Sequence, residues 1–350
     1  MMSQKLVLID GHSILNRAFY GVPDLSNAEG LHTNAIYGFL NIMFKILEEE
    51  KPDYLAVAFD VHAPTFRHQM YQAYKGYNGS IKSASGLSGG DGKKMEEYIK
   101  THECLCGDFM GKVITEALKM GESNACMKRI VAAPTAGACG VMPAILVPYY
   151  ERMILQNINV EDNAENNITT DYGDNKSNNI TTDNAEQKDK DTKAKKEADE
   201  KIIKALYVAA GIGEVIARRA SISGARGGCQ AEIGSASAMA AGALTYLQGG
   251  NEQQIADSVA MALKNLLGLA CDPVAGLVEV PCVKRNVVGA VNAVSSSQMA
   301  SAGIKSRIPV DEVIDAMAYV GDKMDESLKE TGVGGLAGTV SGKEIAGRVL

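Results

Sequence analysis

The sequence predicts a mainly α protein, a helical domain over residues 77–350 preceded by a truncated α/β (β-α-β) fragment over residues 1–76. Three observations lead there. Up to Lys75, strand and helix signals alternate. From Gly76 to Tyr150, and again from Ile202 to Leu350, aromatic residues thin out and Gly, Ala and Ser fill helical patterns such as GSASAMAAGAL. Between these stretches lies a polar run with almost no apolar side chains. A chain of 350 residues with 46% hydrophobic content is long enough for two domains and at least one large core.

Taken in order, KLVLI before Asp10 reads as a strand, Thr33 to Glu50 as an amphipathic helix, and YLAVAF before Asp60 as a second strand. The later helices carry small residues at their contacts, which lets them pack closely. The run from Asn157 to Glu200 repeats the hexapeptide NNITTD at Asn166 and Asn178. Its few apolar groups cannot offset the entropy of ordering, so a disordered insert is expected at about 157–200. Ala, Lys and Glu between Lys188 and Glu200 favour extension of the following helix into it.

Net charge is −7 and no basic stripe is present, which points away from nucleic acid and membrane surfaces and toward a small anionic or zwitterionic substrate. The start MMSQKLVLIDGHS contains only a short apolar stretch bounded by charge, too short for a signal peptide or a spanning segment. A cytoplasmic protein is expected. In a reducing compartment seven cysteines are not a disulfide framework, which leaves packing, metal ligation or catalysis.

Cys229 sits in ARGGCQAEIGS, Cys271 in GLACDPVAG and Cys282 in VEVPCVKRN, each beside Gly, Pro or charge at a break in the helical pattern. A cysteine that only fills a core more often lies within a helix. No histidine follows His102, so a mixed Cys/His zinc site would need ligands from the front of the chain. Thiolate ligation favours zinc or iron and sulfur. Three thiolates are one short of a closed site. Either Cys139 completes a structural site, or one metal position stays open as a Lewis acid. Cys104 and Cys106 near His102 form a poor site and read as structural.

From Tyr77 to Leu350, outside the insert, the chain resembles the alpha chain of the iron–sulfur-dependent L-serine dehydratases (L-serine ammonia-lyases). The matching segments are SASGLSGGDGKKMEEY, GDFMGKVITEAL, NACMKRIVAAPTAGACGVMPAIL, GGCQAEIGSASAMAA and LKNLLGLACDPVAGLVEVPCVKRNVVGAVNA. The resemblance implies a helical iron–sulfur catalytic domain whose four-iron four-sulfur cluster is held by Cys229, Cys271 and Cys282, acting on L-serine without pyridoxal phosphate.

Serine dehydration removes a weakly acidic Cα proton and expels a poor leaving group, so it needs a base and an electrophile. The resemblance implies that an open iron is the electrophile. The helical part holds no histidine to act as the base, and in this family a beta domain, carried on a second chain in two-subunit forms, supplies one. A separate beta subunit is therefore expected as partner. SGLSGGD and PTAGACG are Gly-rich turns whose N–H groups suit a carboxylate, which makes Ser85, Thr135 and Gly137 substrate-binding candidates. Lys264, Lys284 and Arg285 lie near the cysteines in sequence and are candidates to pair with the substrate carboxylate or a negatively charged cluster.

Lys5 to Lys75 resembles a different family, the 5′ nuclease domain at the start of bacterial DNA polymerases, through LVLIDGHSILNRAFY, GLHTNAIYGFLNIMFKIL and YLAVAFDVHAPTFRHQMYQAYK. The resemblance makes Asp10 and Asp60 vestigial magnesium ligands and Arg67 a contact to the DNA backbone. The pattern stops near Gly76, before the carboxylates that complete a two-metal site. The chain thus reads as a fusion of two unrelated frames. The alternatives to a lyase are an inactive fusion protein and a magnesium-dependent 5′ nuclease fragment.

Overall fold

GSASAMAAGAL, the small-residue run noted above, lies at the centre of the helical core. The computed structural model describes residues 6–10, 54–58, 82–166 and 182–350, with a few isolated positions between 41 and 51. The chain divides into two units, Met1–Gln69 and Met70–Leu350.

In the first unit, β1 (Leu6–Asp10) and β2 (Tyr54–Ala58) pair in parallel, with Leu6 opposite Tyr54 and Asp10 opposite Ala58. Both expected strands form. Parallel neighbours require a crossover between them; apart from the isolated positions between 41 and 51, that segment, with the helix expected over Thr33 to Glu50, lies outside the described residues, as do Asp60 and Arg67.

The second unit contains α1 (Asp91–Thr101), α2 (Gly107–Ala125), α3 (Val141–Asn166), α4 (Thr182–Arg219) and a single turn, α5 (Gly224–Gly227). A π-helical turn, Gln230–Gly234, leads into α6 (Ser235–Leu247), followed by α7 (Glu252–Lys264), α8 (Cys282–Ser301), α9 (Val310–Lys323) and α10 (Val340–Val349). Every residue of α6 from Ser235 to Thr245 is buried, because α3, α4, α7 and α8 all pack around it. Ala and Ser on all its faces allow this close approach. Two of its buried hydroxyls find partners inside: Ser237 donates to Gly289 O (2.8 Å), and Thr245 to Ala241 O (2.8 Å). α7 opens with a capping box in which Asn251 accepts from Gln254 N–H.

The insert is helical over residues 188–200, as expected, and differs from expectation ahead of that stretch. α3 continues through Asn166 and α4 begins at Thr182, so both flanks of the 157–200 segment are helical, and residues 167–181 lie outside the described residues. Propagation adds a hydrogen bond for each residue fixed, so an established helix extends into polar sequence that could not nucleate one.

Candidate functional site

The three singled-out cysteines come from three chain breaks and meet in the interior, 3%, 3% and 8% exposed for Cys229, Cys271 and Cys282. Cys229 immediately precedes the π-helical turn. Cys271 sits in an extended bridge to the segment after α9: its N–H donates to Leu328 O (2.7 Å), and its carbonyl accepts from Glu330 N–H (2.7 Å). Cys282 is the first residue of α8, behind Pro281.

Their proton affinities are tied together. Cys229 is favoured as a thiolate, chiefly by the Cys271 S–H and then, against the cost of burial, by the Arg285 guanidinium. Cys271 is pushed up as that donor and by burial. Burial and the Cys229 charge push Cys282 up to about 12. Cys139 stands apart: its thiol donates to Met120 O (3.6 Å), burial raises it to about 12, and none of the other cysteines acts on it.

Among the described residues no three His, Cys, Asp or Glu side chains are placed to hold a single metal ion. A cluster of several iron and sulfide atoms needs ligands set wider apart than one ion does. The donor set has the chemistry for such a group: three buried sulfurs beside a guanidinium that offsets their negative charge when they lose their protons.

The walls of the site hold residues that sequence reasoning had not singled out. Asp272 is 5% exposed. Its Oδ1 forms a 2.8 Å ion pair with Arg285 Nη1, at an angle outside hydrogen-bond range. Its Oδ2 accepts from Leu336 N–H (2.8 Å). The same Arg285 nitrogen donates to Ala270 O (2.7 Å). Asn286 accepts from Gly140 N–H (2.8 Å) and donates to Gly137 O (2.9 Å) and Cys282 O (3.0 Å), which ties the PTAGACG turn to the head of α8. Glu232 accepts from Thr135 Oγ1 (2.7 Å), and its other oxygen lies 4.0 Å from Cys271 Sγ. Burial raises its carboxyl above the ordinary range. Glu279 accepts from Ser83 (2.6 Å) and Ser85 (2.7 Å), fastening the SGLSGGD turn to the segment before Cys282. Glu122 caps the start of α1 through Asp91 N–H (2.6 Å) and Gly92 N–H (3.3 Å).

Of the sequence candidates, Thr135, Gly137 and Arg285 gather at the cysteines, and Ser85 is tied through Glu279 to the segment that precedes Cys282. Lys264 and Lys284 have other partners. The Lys264 ammonium donates to Ser306 (3.0 Å). Lys284 pairs with Asp91 (2.6 Å), whose carboxyl it holds below the usual range. A separate cavity of about 140 Å³, lined by Arg219, Arg226, Gln230, Met317 and Asp322, adjoins the α5 turn, and none of the three cysteines lines it.

Residues 187–337 match the family model of the serine dehydratase alpha chain, and residues 5–83 that of the 5′-3′ exonuclease N-terminal resolvase-like domain. The probable L-serine dehydratase alpha chain of Bacillus subtilis is 43% identical over 79% of this chain and 78% of its own length. The L-serine dehydratase alpha chain of Peptoniphilus asaccharolyticus is 39% identical over 73% of each. The probable L-serine dehydratase alpha chain of Latilactobacillus sakei is 43% identical over 67% of this chain and 92% of its own length. With such identity sustained over most of the length of these relatives, the chain belongs to the serine dehydratase alpha chain family.

Proposed function

We propose that this chain is the alpha subunit of an L-serine ammonia-lyase, converting L-serine to pyruvate and ammonia. The observation that carries the reading is the meeting of Cys229, Cys271 and Cys282 beside Arg285 in a chain of this family. The three cysteines would hold a four-iron four-sulfur cluster, which supplies Lewis acidity toward the substrate hydroxyl. Arg285, fixed by Asp272 and Ala270 O, offsets the negative charge of the sulfurs.

The chain's other residues position and enclose. Asn286 keeps the PTAGACG turn, with Thr135 and Gly137, against the head of α8. Glu279 ties Ser83 and Ser85 to the segment before Cys282, with both hydroxyls donated to its carboxylate. Burial keeps water from the thiols. Dehydration transfers the Cα proton to a base while the C–O bond breaks and the departing oxygen is protonated. The resulting aminoacrylate tautomerises and hydrolyses to pyruvate and ammonia.

The base comes from a separate beta subunit, a reading supported by the lack of histidine after His102 and by the alpha-chain names of the relatives. Among the described residues no helix is long and apolar enough to cross a membrane, and the proposed setting is the cytoplasm. Residues 1–76 are proposed to be a fused nuclease-like fragment, outside the lyase domain of 77–350, a division supported by the exonuclease-domain match. The test is anaerobic reconstitution of the chain with iron and sulfide, mixing with a cognate beta chain, and assay of pyruvate from L-serine. A brown protein that forms pyruvate only in the mixture is expected. Zinc without colour, or no pyruvate from the mixture, would overturn the reading.

A further inference from the structure

We propose that Glu232 receives the α-ammonium group of the amino-acid substrate, an assignment that rests on the dehydratase reading above. L-Serine brings three polar groups, and the cationic one needs a fixed anion close to the reacting carbon. Several carboxylates surround the cysteines, and most are committed elsewhere. Asp272 faces Arg285 and the Leu336 N–H. Glu279 receives a serine hydroxyl on each oxygen. Glu330 is exposed.

Glu232 differs. One oxygen takes a single neutral donor, Thr135, and the other faces Cys271 Sγ at 4.0 Å. Its carboxylate is near enough to raise the proton affinity of all three cysteines. Two glycines hold it there by close approach. A Cβ on Gly224 would stand 2.6 Å from Glu232 Oε2 and 3.1 Å from Cys271 Sγ, and one on Gly137 would stand 3.2 Å from Oε1. The side chain is therefore fixed before any substrate arrives. A half-buried carboxylate beside three sulfurs that carry negative charge as ligands is repelled by them, and its placement is costly unless a cation comes to it. Arg285 does not fill that role, since its guanidinium is taken by Asp272, Ala270 O and Cys229. An incoming ammonium does.

The test uses the reconstituted full-length chain with its cognate beta chain and two probes that cannot be deaminated. L-Alanine keeps the ammonium and lacks the hydroxyl; 3-hydroxypropanoate keeps the hydroxyl and lacks the ammonium. In Glu232→Gln, calorimetry is expected to show L-alanine affinity falling roughly thirtyfold or more, with 3-hydroxypropanoate affinity and iron and sulfide content unchanged. An unchanged L-alanine affinity, or an equal loss for both probes, would overturn the assignment. Should Glu232→Gln fail to take up iron, Thr135→Val replaces it, and the ratio of the two affinities is expected to shift the same way by a smaller factor. An unshifted ratio there overturns the assignment too. A wild-type complex that neither binds L-alanine nor deaminates L-serine would instead overturn the dehydratase reading, whereas turnover of L-serine with an unchanged ratio in the variant removes the ammonium assignment alone.

Discussion

Asp272 and Arg285, joined by a 2.8 Å ion pair, each follow a cysteine of the site: Asp272 comes directly after Cys271, and Arg285 lies one helical turn after Cys282. The pair therefore fixes the loop at Cys271 against the head of α8, and through Leu336 N–H it also holds the Gly-rich segment before α10. Their side chains are 7% and 15% exposed, so solvent screens them weakly. Removing one partner leaves the other buried without its counter-charge. Asp272→Ala is expected to lower unfolding stability by about 3–5 kcal/mol, read from urea denaturation, and to reduce iron uptake.

Cys271→Ser keeps size and burial while replacing the soft sulfur with a hard oxygen. The variant should retain the helical circular dichroism of the parent, lose the brown colour after anaerobic reconstitution and form no pyruvate with a beta chain. Retention of both iron and activity would remove Cys271 from the ligand set.

Asn286 is 1% exposed and serves Gly140 N–H, Gly137 O and Cys282 O at once. Truncation to Ala orphans these buried backbone groups, at about 1–3 kcal/mol for an unsatisfied group. Asn286→Ala should lower the melting temperature measurably, and Asn286→Asp, which keeps the acceptor for Gly140 N–H, should lower it less. Thermal melts of the two variants compare them directly.

Glu116 gives a pH dependence away from the cysteines. Burial raises its carboxyl from 4.5 to about 7, with Lys119 opposing and Glu151 adding to the rise. Lys119 is shared with Glu96 (3.3 Å), and Glu116 Oε2 is buried without a hydrogen-bond partner. The folded chain holds this proton more tightly than the unfolded chain. Its stabilising effect is therefore full below about 4.5 and is lost as pH rises through about 7, a change on the order of 2–3 kcal/mol. Glu116→Gln should flatten the stability profile between those values, measured by urea unfolding at a series of pH values.

The cysteine trio could be read from sequence because each member breaks a helical pattern beside Gly, Pro or charge, and those breaks are where α5, α8 and the bridge at Cys271 begin or end. The small-residue run of α6 was equally legible. Glu232, Asp272, Asn286 and Glu279 were not, because their roles rest on partners such as Thr135, Leu336, Gly140 and Ser83, which lie far away in the chain. One signal was available for Glu232: it is an acidic residue within an otherwise small and apolar run, three positions after Cys229. Lys284 instead pairs with Asp91 of the SGLSGGD turn. At 3.6 residues per turn, the second residue after Cys282 points to a different face of α8, while the third, Arg285, returns toward the cysteine.

The enclosure of α6 has a consequence for how the site comes apart. Its residues from Ser235 to Thr245 are covered by four neighbouring helices, so their amides are expected to exchange with solvent only when the whole domain opens. Cys229 and Glu232 stand at the head of this helix, directly before and within the π-helical turn that leads into it. Attached to so enclosed a helix, they are expected to separate from Cys271 only when the helical domain opens.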